Sequence, residues 1–238
     1  MKNKIFFFCA IILTCIFYGF SAKRFESRSV NNVNILFTDK SDPIISEQNV
    51  DKLLIQSRDS AEMLFLENLD LNKSESRLVQ NEMIRSAEVS VTLDGEIQAV
   101  VEARRPIARI MGSPDKYLDD DNLLMPLSKE YTVRVPLVFG FQDQDQDDLY
   151  QLIMTLRNDE LLSESFSDVR IDAARGFLLS PRAFDFEVVL GSVEELDTKL
   201  VKYEAFIAKM AKDKKLKELG TVDLRYKKQV VATKNKSV

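Results

Sequence analysis

The sequence predicts an α+β fold, with two consecutive domains after an apolar N-terminal segment. Two helical patterns and a β-hairpin come first. A series of short strands with prolines at their edges follows, and one long amphipathic helix precedes a final strand. At 238 residues the chain is long enough for two modest domains. We therefore expect a small β-α-α-β-β domain at 30–106, a larger mixed β-domain at 107–233 and a short basic tail at 234–238.

The composition excludes several kinds of chemistry. The sequence contains no histidine, and its two cysteines, Cys9 and Cys15, lie in the apolar N-terminal run. The rest of the chain therefore offers no disulfide, no thiol nucleophile, no histidine base and no His/Cys zinc site. We expect a protein without a cofactor or a metal site.

The net charge of −5 is unevenly distributed. Residues 199–238 hold twelve basic and four acidic side chains, a net charge of +8, which leaves −13 for the rest of the chain. Either this region is a solvated basic helix and tail, or it is a surface that attracts an acidic partner. We do not expect nucleic-acid binding, because the net charge is negative and the basic residues are not interleaved with aromatic ones.

Residues 1–22 predict a signal anchor. An uncharged apolar run follows Lys2 and Lys4, and its length is at the short end of the about 17–25 residues that span a bilayer. A cleaved signal peptide is one alternative, since residues 19–22 loosely supply the small side chains that precede a cleavage site. A lipoprotein signal that uses Cys15 is another. The residues expected to form the anchor are Ile5, Phe6, Phe7, Phe8, Ile11, Ile12, Leu13, Ile16, Phe17 and Tyr18.

A strand and two helices are predicted next. Residues 30–39 alternate between apolar and polar side chains, as in a half-buried strand. Ser46 offers an N-cap for one helix, and a second helix is expected to begin near Ser74. The predicted apolar faces are Val50, Leu53 and Leu54 in the first helix, and Leu78, Val79 and Met83 in the second.

A β-hairpin completes the first domain. Residues 86–93 alternate at period two, and Asp94-Gly95 is the strongest hairpin-turn signal in the chain. The faces expected to point inward are Val89, Val91 and Leu93 on one strand, and Ile97, Ala99, Val101 and Ala103 on the other.

Short strand patterns continue through residues 100–140. Residues 119–122 are predicted to form a hairpin turn, because Asn122 tolerates the left-handed conformation that a tight turn needs. Acidic runs at 119–121 and 143–148 resemble calcium loops, but the glycine and terminal glutamate of an EF-hand are absent. We interpret both runs as structural. The second suits the N-terminus of a helix with the stripe Leu149, Leu152, Ile153 and Leu156.

Three strands and a long helix are predicted beyond residue 168. The strands are expected at 169–172, 176–180 and 184–191. Ser192 and Glu195 form a capping box for the helix, and Gly220 is its expected stop. The apolar face of this helix is predicted to be Val193, Leu196, Leu200, Tyr203, Phe206 and Met210.

Residues 221–233 are predicted to form a single long strand. Apolar and polar side chains alternate along its first half. This strand is either an unpaired edge that receives a partner strand, an ordinary paired strand, or an edge protected by its lysines.

Several stretches resemble the FtsQ/DivIB family of bacterial cell-division proteins. The resemblance is carried, in the family's order, by Glu102–Ile110, Tyr117–Asp119, Met125–Ser128 and Tyr131–Gly140. Residues 77–89, the Leu190-Gly191 turn with Lys199-Leu200, and Val222–Tyr226 are also similar to the family at these places. The resemblance implies that the first domain is a POTRA domain and the second an FtsQ-type β-domain.

The resemblance also implies a function. It predicts a single-pass protein of the bacterial inner membrane, with its C-terminal domains outside the cytoplasm and located at the division septum. It implies a non-catalytic scaffold that binds FtsB and FtsL by β-augmentation at the last strand, meets other divisome proteins through the POTRA domain, and helps recruit septal peptidoglycan synthesis to midcell. Arg225 would pair with a carboxylate of the partner, and Tyr226 would make an amphipathic contact. The implied partner-binding residues are Leu224, Arg225, Tyr226, Lys227 and Gln229.

Three alternatives stay open. The first domain could be a simple spacer near the membrane. The chain could also be an envelope enzyme acting through paired carboxylates, or a wall-binding protein anchored in the membrane.

Overall fold

The computed structural model describes residues 7, 11–19, 33–39, 44–56, 70–92 and 96–235. The chain divides into two compact units, one extending through Ala103 and the other beginning at Arg104.

The N-terminal segment is described only in part. Residues 11–19 are helical (α1), and their side chains are exposed. Within the described part of the chain, no helix is both long enough and apolar enough to cross a membrane. Three of the residues expected to form the anchor, Ile5, Phe6 and Phe8, lie outside the described residues.

The first unit has the predicted β-α-α-β-β order. Its three strands form a sheet in the order β1-β3-β2, with β1 parallel and β2 antiparallel to the central β3. One apolar cluster joins this sheet to both helices, and Leu78 and Val101 are fully buried in it. The elements are β1 (Val33–Phe37), α2 (Glu47–Gln56), α3 (Leu71–Val79), β2 (Ile84–Val91) and β3 (Ile97–Ala103).

Helix α3 begins earlier than predicted. The Asp70 side chain accepts a hydrogen bond from the Lys73 N–H at 3.0 Å, so Asp70 is the N-cap and Ser74 lies buried inside the helix. Val79, predicted to face inward, is exposed. The expected cap of α2 is confirmed, because the Asn49 N–H donates to Ser46 Oγ. The predicted Asp94-Gly95 turn lies outside the described residues, but the two strands beside it pair as a hairpin, with Val91 opposite Ile97.

The second unit is built on a nine-stranded sheet. The order is β12-β11-β10-β9-β8-β7-β4-β5-β6. The pairs β4·β7, β7·β8 and β10·β11 are parallel, and the remaining neighbours are antiparallel. The strands are β4 (Pro106–Ile110), β5 (Lys116–Asp119), β6 (Leu124–Pro126), β7 (Leu137–Phe139), β8 (Phe166–Asp172), β9 (Gly176–Pro181), β10 (Glu187–Gly191), β11 (Leu219–Asp223) and β12 (Val231–Lys234).

Two helices complete the core of the second unit. Helix α4 (Gln146–Asn158) follows a short 3₁₀ turn at Asp143–Asp145, and it buries the four residues predicted as its apolar stripe. Helix α5 (Leu196–Lys212) buries Leu196, Leu200 and Tyr203, and the ring of Tyr203 lies 5.7 Å from that of Phe166. Both apolar faces belong to one core cluster with the sheet.

The turn between β5 and β6 is organised by a buried carboxylate. Asn122 has the predicted left-handed conformation, with φ of 61°. Asp119 is fully buried, and its Oδ1 accepts the N–H groups of Asp121 at 3.0 Å and Leu123 at 2.7 Å. Its Oδ2 accepts Arg104 Nη1 at 2.8 Å. The acidic run at 119–121 therefore has a structural use.

Both predicted boundaries of α5 are wrong. The helix begins at Leu196, after Glu195 in a left-handed conformation, so Ser192 lies in the preceding turn and cannot cap it. The Ser192 carbonyl instead accepts Lys199 Nζ at 2.7 Å. The helix ends at Lys212, and Gly220 lies inside β11, where the backbone of β12 passes close to it.

Candidate functional site

The C-terminal segment forms a hairpin at one edge of the nine-stranded sheet. β11 runs parallel to β10, and β12 pairs antiparallel with β11, with Val222 opposite Ala232 and Asp223 opposite Val231. β12 is therefore the terminal strand of the sheet order. The predicted single strand at 221–233 is wrong, because the chain leaves β11 after Asp223 and turns before it re-enters the sheet at Val231.

The turn between the two strands is tied to the body of the unit. Leu224 is fully buried, and its N–H donates to the Val189 carbonyl at 2.9 Å. Lys202 on α5 donates from Nζ to the Tyr226 carbonyl at 3.0 Å. Lys227 forms an ion pair with Glu195 at 3.2 Å. These contacts hold the turn to β10 and to the start of α5.

The structure separates the five residues predicted to bind a partner. Leu224 is 0% exposed, so its side chain belongs to the core and presents no surface. Arg225, Tyr226, Lys227 and Gln229 are exposed and lie in the turn, outside either strand. Tyr226 shows 48% of its surface, and it is among the exposed large apolar side chains of the second unit. The predicted alternation of inward and outward side chains therefore does not extend past Leu224.

Arg225 is already engaged within the chain. Its Nε and Nη2 donate to the two oxygens of Asp223 at 3.0 and 2.7 Å, a bidentate arrangement. The Arg225 side chain also covers Gly191, where an added Cβ would lie 2.8 Å from Arg225 Cγ. Burial raises the pKa of Asp223, but the hydrogen bonds from the Arg225 side chain and backbone outweigh it and hold that pKa below its usual value. Arg225 thus stabilises the start of the turn through its contacts within the chain.

β12 presents its outer edge and both faces. All four of its side chains are exposed, and no other described strand pairs with its outer side. The Asn235 N–H donates to the Glu218 carbonyl at 2.7 Å, toward β11. Because backbone groups alternate in direction along an antiparallel strand, those of Ala232 and Lys234 point to the outer edge. An unpaired edge of this kind can accept a further strand.

Sequence reasoning did not single out the residues of this edge. Val231, Ala232 and Thr233 were interpreted only as the continuation of one strand, and Lys234 as the first residue of the basic tail. The available signal was the polar run at 225–229 between two β-type segments, which is typical of a hairpin connection.

Among the described residues, no group of three or more His, Cys, Asp and Glu side chains is arranged to hold a metal ion.

Comparison with known proteins gives one family. Residues 105–233 match the family model described as "FtsQ/DivIB, C-terminal related", which covers more than half of the chain and includes the whole C-terminal hairpin except its last residue. No curated protein matches the chain.

Proposed function

Because the chain belongs to the FtsQ/DivIB C-terminal related family, we propose that it is a non-catalytic scaffold that binds FtsB/FtsL-type proteins at the outer edge of β12. Membership of this family indicates a role in cell division. Members of the family generally act without catalysis, which favours a binding role over an enzymatic one. The proposal concerns the partner, the position of the interface and its use.

The observation that supports this proposal is the free edge of β12. Backbone donors and acceptors at Ala232 and Lys234 point away from β11, so an extended segment of the partner can add a tenth strand to the sheet. In this binding mode the backbone supplies affinity, and alternate side chains supply specificity. The interface is therefore centred on Val231–Lys234 rather than on Val222–Tyr226.

The turn residues would flank this interface. Tyr226 offers an exposed ring, and Lys227 and Gln229 offer polar groups beside it. Arg225 has Nε and one N–H of Nη2 bound to Asp223, so a partner carboxylate would meet only the remaining N–H groups on Nη1 and Nη2. We propose that Tyr226 contributes more to affinity than Arg225 does.

The remaining parts follow the family. The unit through Ala103 would be the POTRA domain that meets other divisome proteins, and the N-terminal segment would anchor the chain in the inner membrane. With both units outside the cytoplasm, the protein would help bring septal peptidoglycan synthesis to midcell.

Ala232→Pro is the sharpest test of the proposed edge. Proline removes the outward N–H of residue 232 and places its ring in the path of an added strand, while the inward pairing to β11 is retained. Each net backbone hydrogen bond contributes about 0.5–1.5 kcal/mol, and the steric conflict adds to this, so affinity should fall at least about tenfold. Binding of the full chain to the FtsB-type protein of the same cell would be measured by calorimetry.

Ala232→Ser is the matched control, because it keeps the backbone N–H at the same exposed position. It should bind the partner with nearly unchanged affinity. Full binding by the proline variant, with the domain still folded, would move the interface away from β12.

A further inference from the structure

A second surface of the second unit has the character of a docking site. It is a groove between the loop after α4, the loop between β9 and β10, and the middle of α5, with a volume of about 410 Å³. We call it the α5 groove. Its volume lies within the range of about 300–1,000 Å³ that is typical of ligand pockets. The groove is separate from the edge of β12, since none of its lining residues belongs to the C-terminal hairpin.

The floor and walls of the α5 groove are apolar. Leu162, Phe186 and Tyr203 are buried beneath it, and burial raises the pKa of the Tyr203 hydroxyl to about 12. Phe184 and Ile207 are partly buried at its sides. At its lip, Leu161 is 73% exposed, although its neighbour Leu162 belongs to the core. The exposed Leu161 side chain extends the apolar surface of the groove. An exposed apolar surface of this kind is typical of an interaction site.

The acidic side chains on the rim of the groove outnumber the cationic ones. Glu164 and Glu204 line it, and Glu204 lies close to Asp159. Asp159 is held in place because its Oδ1 accepts the N–H groups of Leu161 and Leu162 at 2.8 and 3.0 Å. Burial, followed by the nearby Asp159 charge, raises the pKa of Glu204 above its usual value. Two carboxylates in contact repel each other when both are ionised, and a cation placed beside them removes that repulsion.

The one cationic side chain that lines the groove is directed to other groups. Arg182 donates from Nε to the Glu164 carbonyl and from Nη2 to the Phe166 carbonyl, both at 3.1 Å. These two hydrogen bonds hold the loop between β9 and β10 against the start of β8. Neither of them reaches a carboxylate of the rim, so an incoming cation can still contact Glu204 and Asp159.

We propose that the α5 groove binds an amphipathic helical segment of a partner protein, which inserts a large apolar side chain and places a lysine or arginine against Glu204 and Asp159. This site is separate from the proposed binding edge at β12. It attracts a cationic segment, whereas the basic hairpin turn beside β12 attracts an acidic one. It gives the protein two docking surfaces on one domain. An apolar anchor beside a charged contact is the usual composition of a binding hot spot.

Ala208 allows the site to be filled without disturbing the core. It is exposed on α5 and lines the groove, whereas Ala205 is exposed on the same helix and does not line it. Ala208→Trp should occupy the groove, and Ala205→Trp serves as the matched control. The probe is a synthetic amphipathic peptide of about four helical turns, with leucines on one face and lysines on the other. One companion peptide carries glutamate in place of lysine, and another carries alanine in place of leucine.

The full chain should bind the leucine/lysine peptide and bind both companion peptides at least tenfold more weakly. Ala208→Trp should weaken this binding at least tenfold, and Ala205→Trp should leave it unchanged. Leu161→Ser and Glu204→Lys provide two further variants at exposed or partly exposed positions, so a folding defect in one tryptophan variant would not decide the matter. Both should reduce binding, while binding of the FtsB-type partner at β12 stays intact.

Three results would overturn the proposal. Equal binding by wild type and Ala208→Trp would show that the peptide binds elsewhere. Equal binding of the lysine and glutamate peptides would remove the role of the acidic rim. Concentration-dependent dimerisation that Ala208→Trp abolishes, without any peptide binding, would show that a second copy of the chain covers the groove.

Discussion

Replacement of the buried carboxylate Asp119 tests how the β5–β6 hairpin is held. Asp119→Ala removes the ion pair to Arg104 and the acceptor for two backbone N–H groups. Arg104 keeps 20% of its side chain exposed and can recover part of its hydration, but the N–H groups of Asp121 and Leu123 lose Asp119 Oδ1 as an acceptor. The hairpin, and with it the β4·β5 pairing at the start of the family-matched region, should lose stability.

The expected size follows from the three contacts. Breaking a buried ion pair by removing one partner costs about 3–5 kcal/mol, and the exposure of Arg104 places this case at the lower end. We expect Asp119→Ala to lower the free energy of unfolding by about 3–4 kcal/mol. Asp119→Asn keeps an oxygen for the two amides and loses only the charge, so its cost should be about half as large. Arg104→Met combined with Asp119→Ala should recover part of the loss, because no unpaired guanidinium is then left behind.

Tyrosine fluorescence gives an assay that reports on the second unit. The sequence has no tryptophan, and five of its six tyrosines lie beyond Arg104. Urea unfolding of the full chain followed at this signal therefore measures the second unit even if the two units unfold separately. Asp185→Ala, at an exposed position, is the control and should change stability by less than about 0.5 kcal/mol. A cost below about 1 kcal/mol for Asp119→Ala would refute the reasoning.

Two further predictions concern the Asp223 carboxylate and the glycines Gly176 and Gly191. The pKa of Asp223 is depressed in the folded state, so its stabilising contribution is present above its unfolded pKa and is lost as pH falls through the folded value. Wild type should therefore be more stable than Asp223→Asn at pH 7, and the urea midpoints of the two proteins should begin to approach each other as the pH falls below about 4. A constant difference across that range would contradict the assignment. Gly176→Ala should lower the free energy of unfolding more than Gly191→Ala does. Both glycines have φ near +75 to +80°, so the backbone strain is similar. The Cβ of Gly176→Ala would lie 2.5 Å from the Gly191 carbonyl oxygen, whereas the Cβ of Gly191→Ala meets the movable Arg225 side chain. Equal unfolding midpoints for the two alanine variants would count against this.

The spacing of apolar residues predicted those helices and strands that bury a single face. The stripe of α4 and the alternation of β3 each place apolar residues on one buried side, and the structure confirms both. The boundaries of α5 were missed because local capping signals compete with tertiary contacts. Ser192 and Glu195 have the spacing of a capping box, but the Ser192 carbonyl is bound by Lys199 from within the helix, and Glu195 takes a left-handed conformation. The sequence alone does not show which interaction prevails.

The segment predicted to bind a partner has a different geometry from the one that the sequence led us to expect. Alternation along 222–226 indicates a strand, and it holds as far as Leu224. It cannot show that β11 lies between β10 and another strand, because sheet order is a property of the whole unit. Arg225 likewise carries a charge suited to a partner, yet its nearest carboxylate is Asp223, two residues away. The α5 groove had no sequence signal, because its lining comes from three separate segments.

The exposure of β12 gives a physical reason why this strand would gain from a partner. All four of its side chains are exposed, so β12 adds almost nothing to the apolar core, and it is held mainly by backbone pairing to β11. β11, in contrast, buries Leu219 and Val222 and is fixed by β10 on its other side. A strand held by pairing on one side alone lies at the low-stability end of a sheet. Pairing on its second side would order β12 without disturbing the core, so partner binding there would reinforce the sheet at its weakest strand while α5 and the Lys202 contact keep the turn in place.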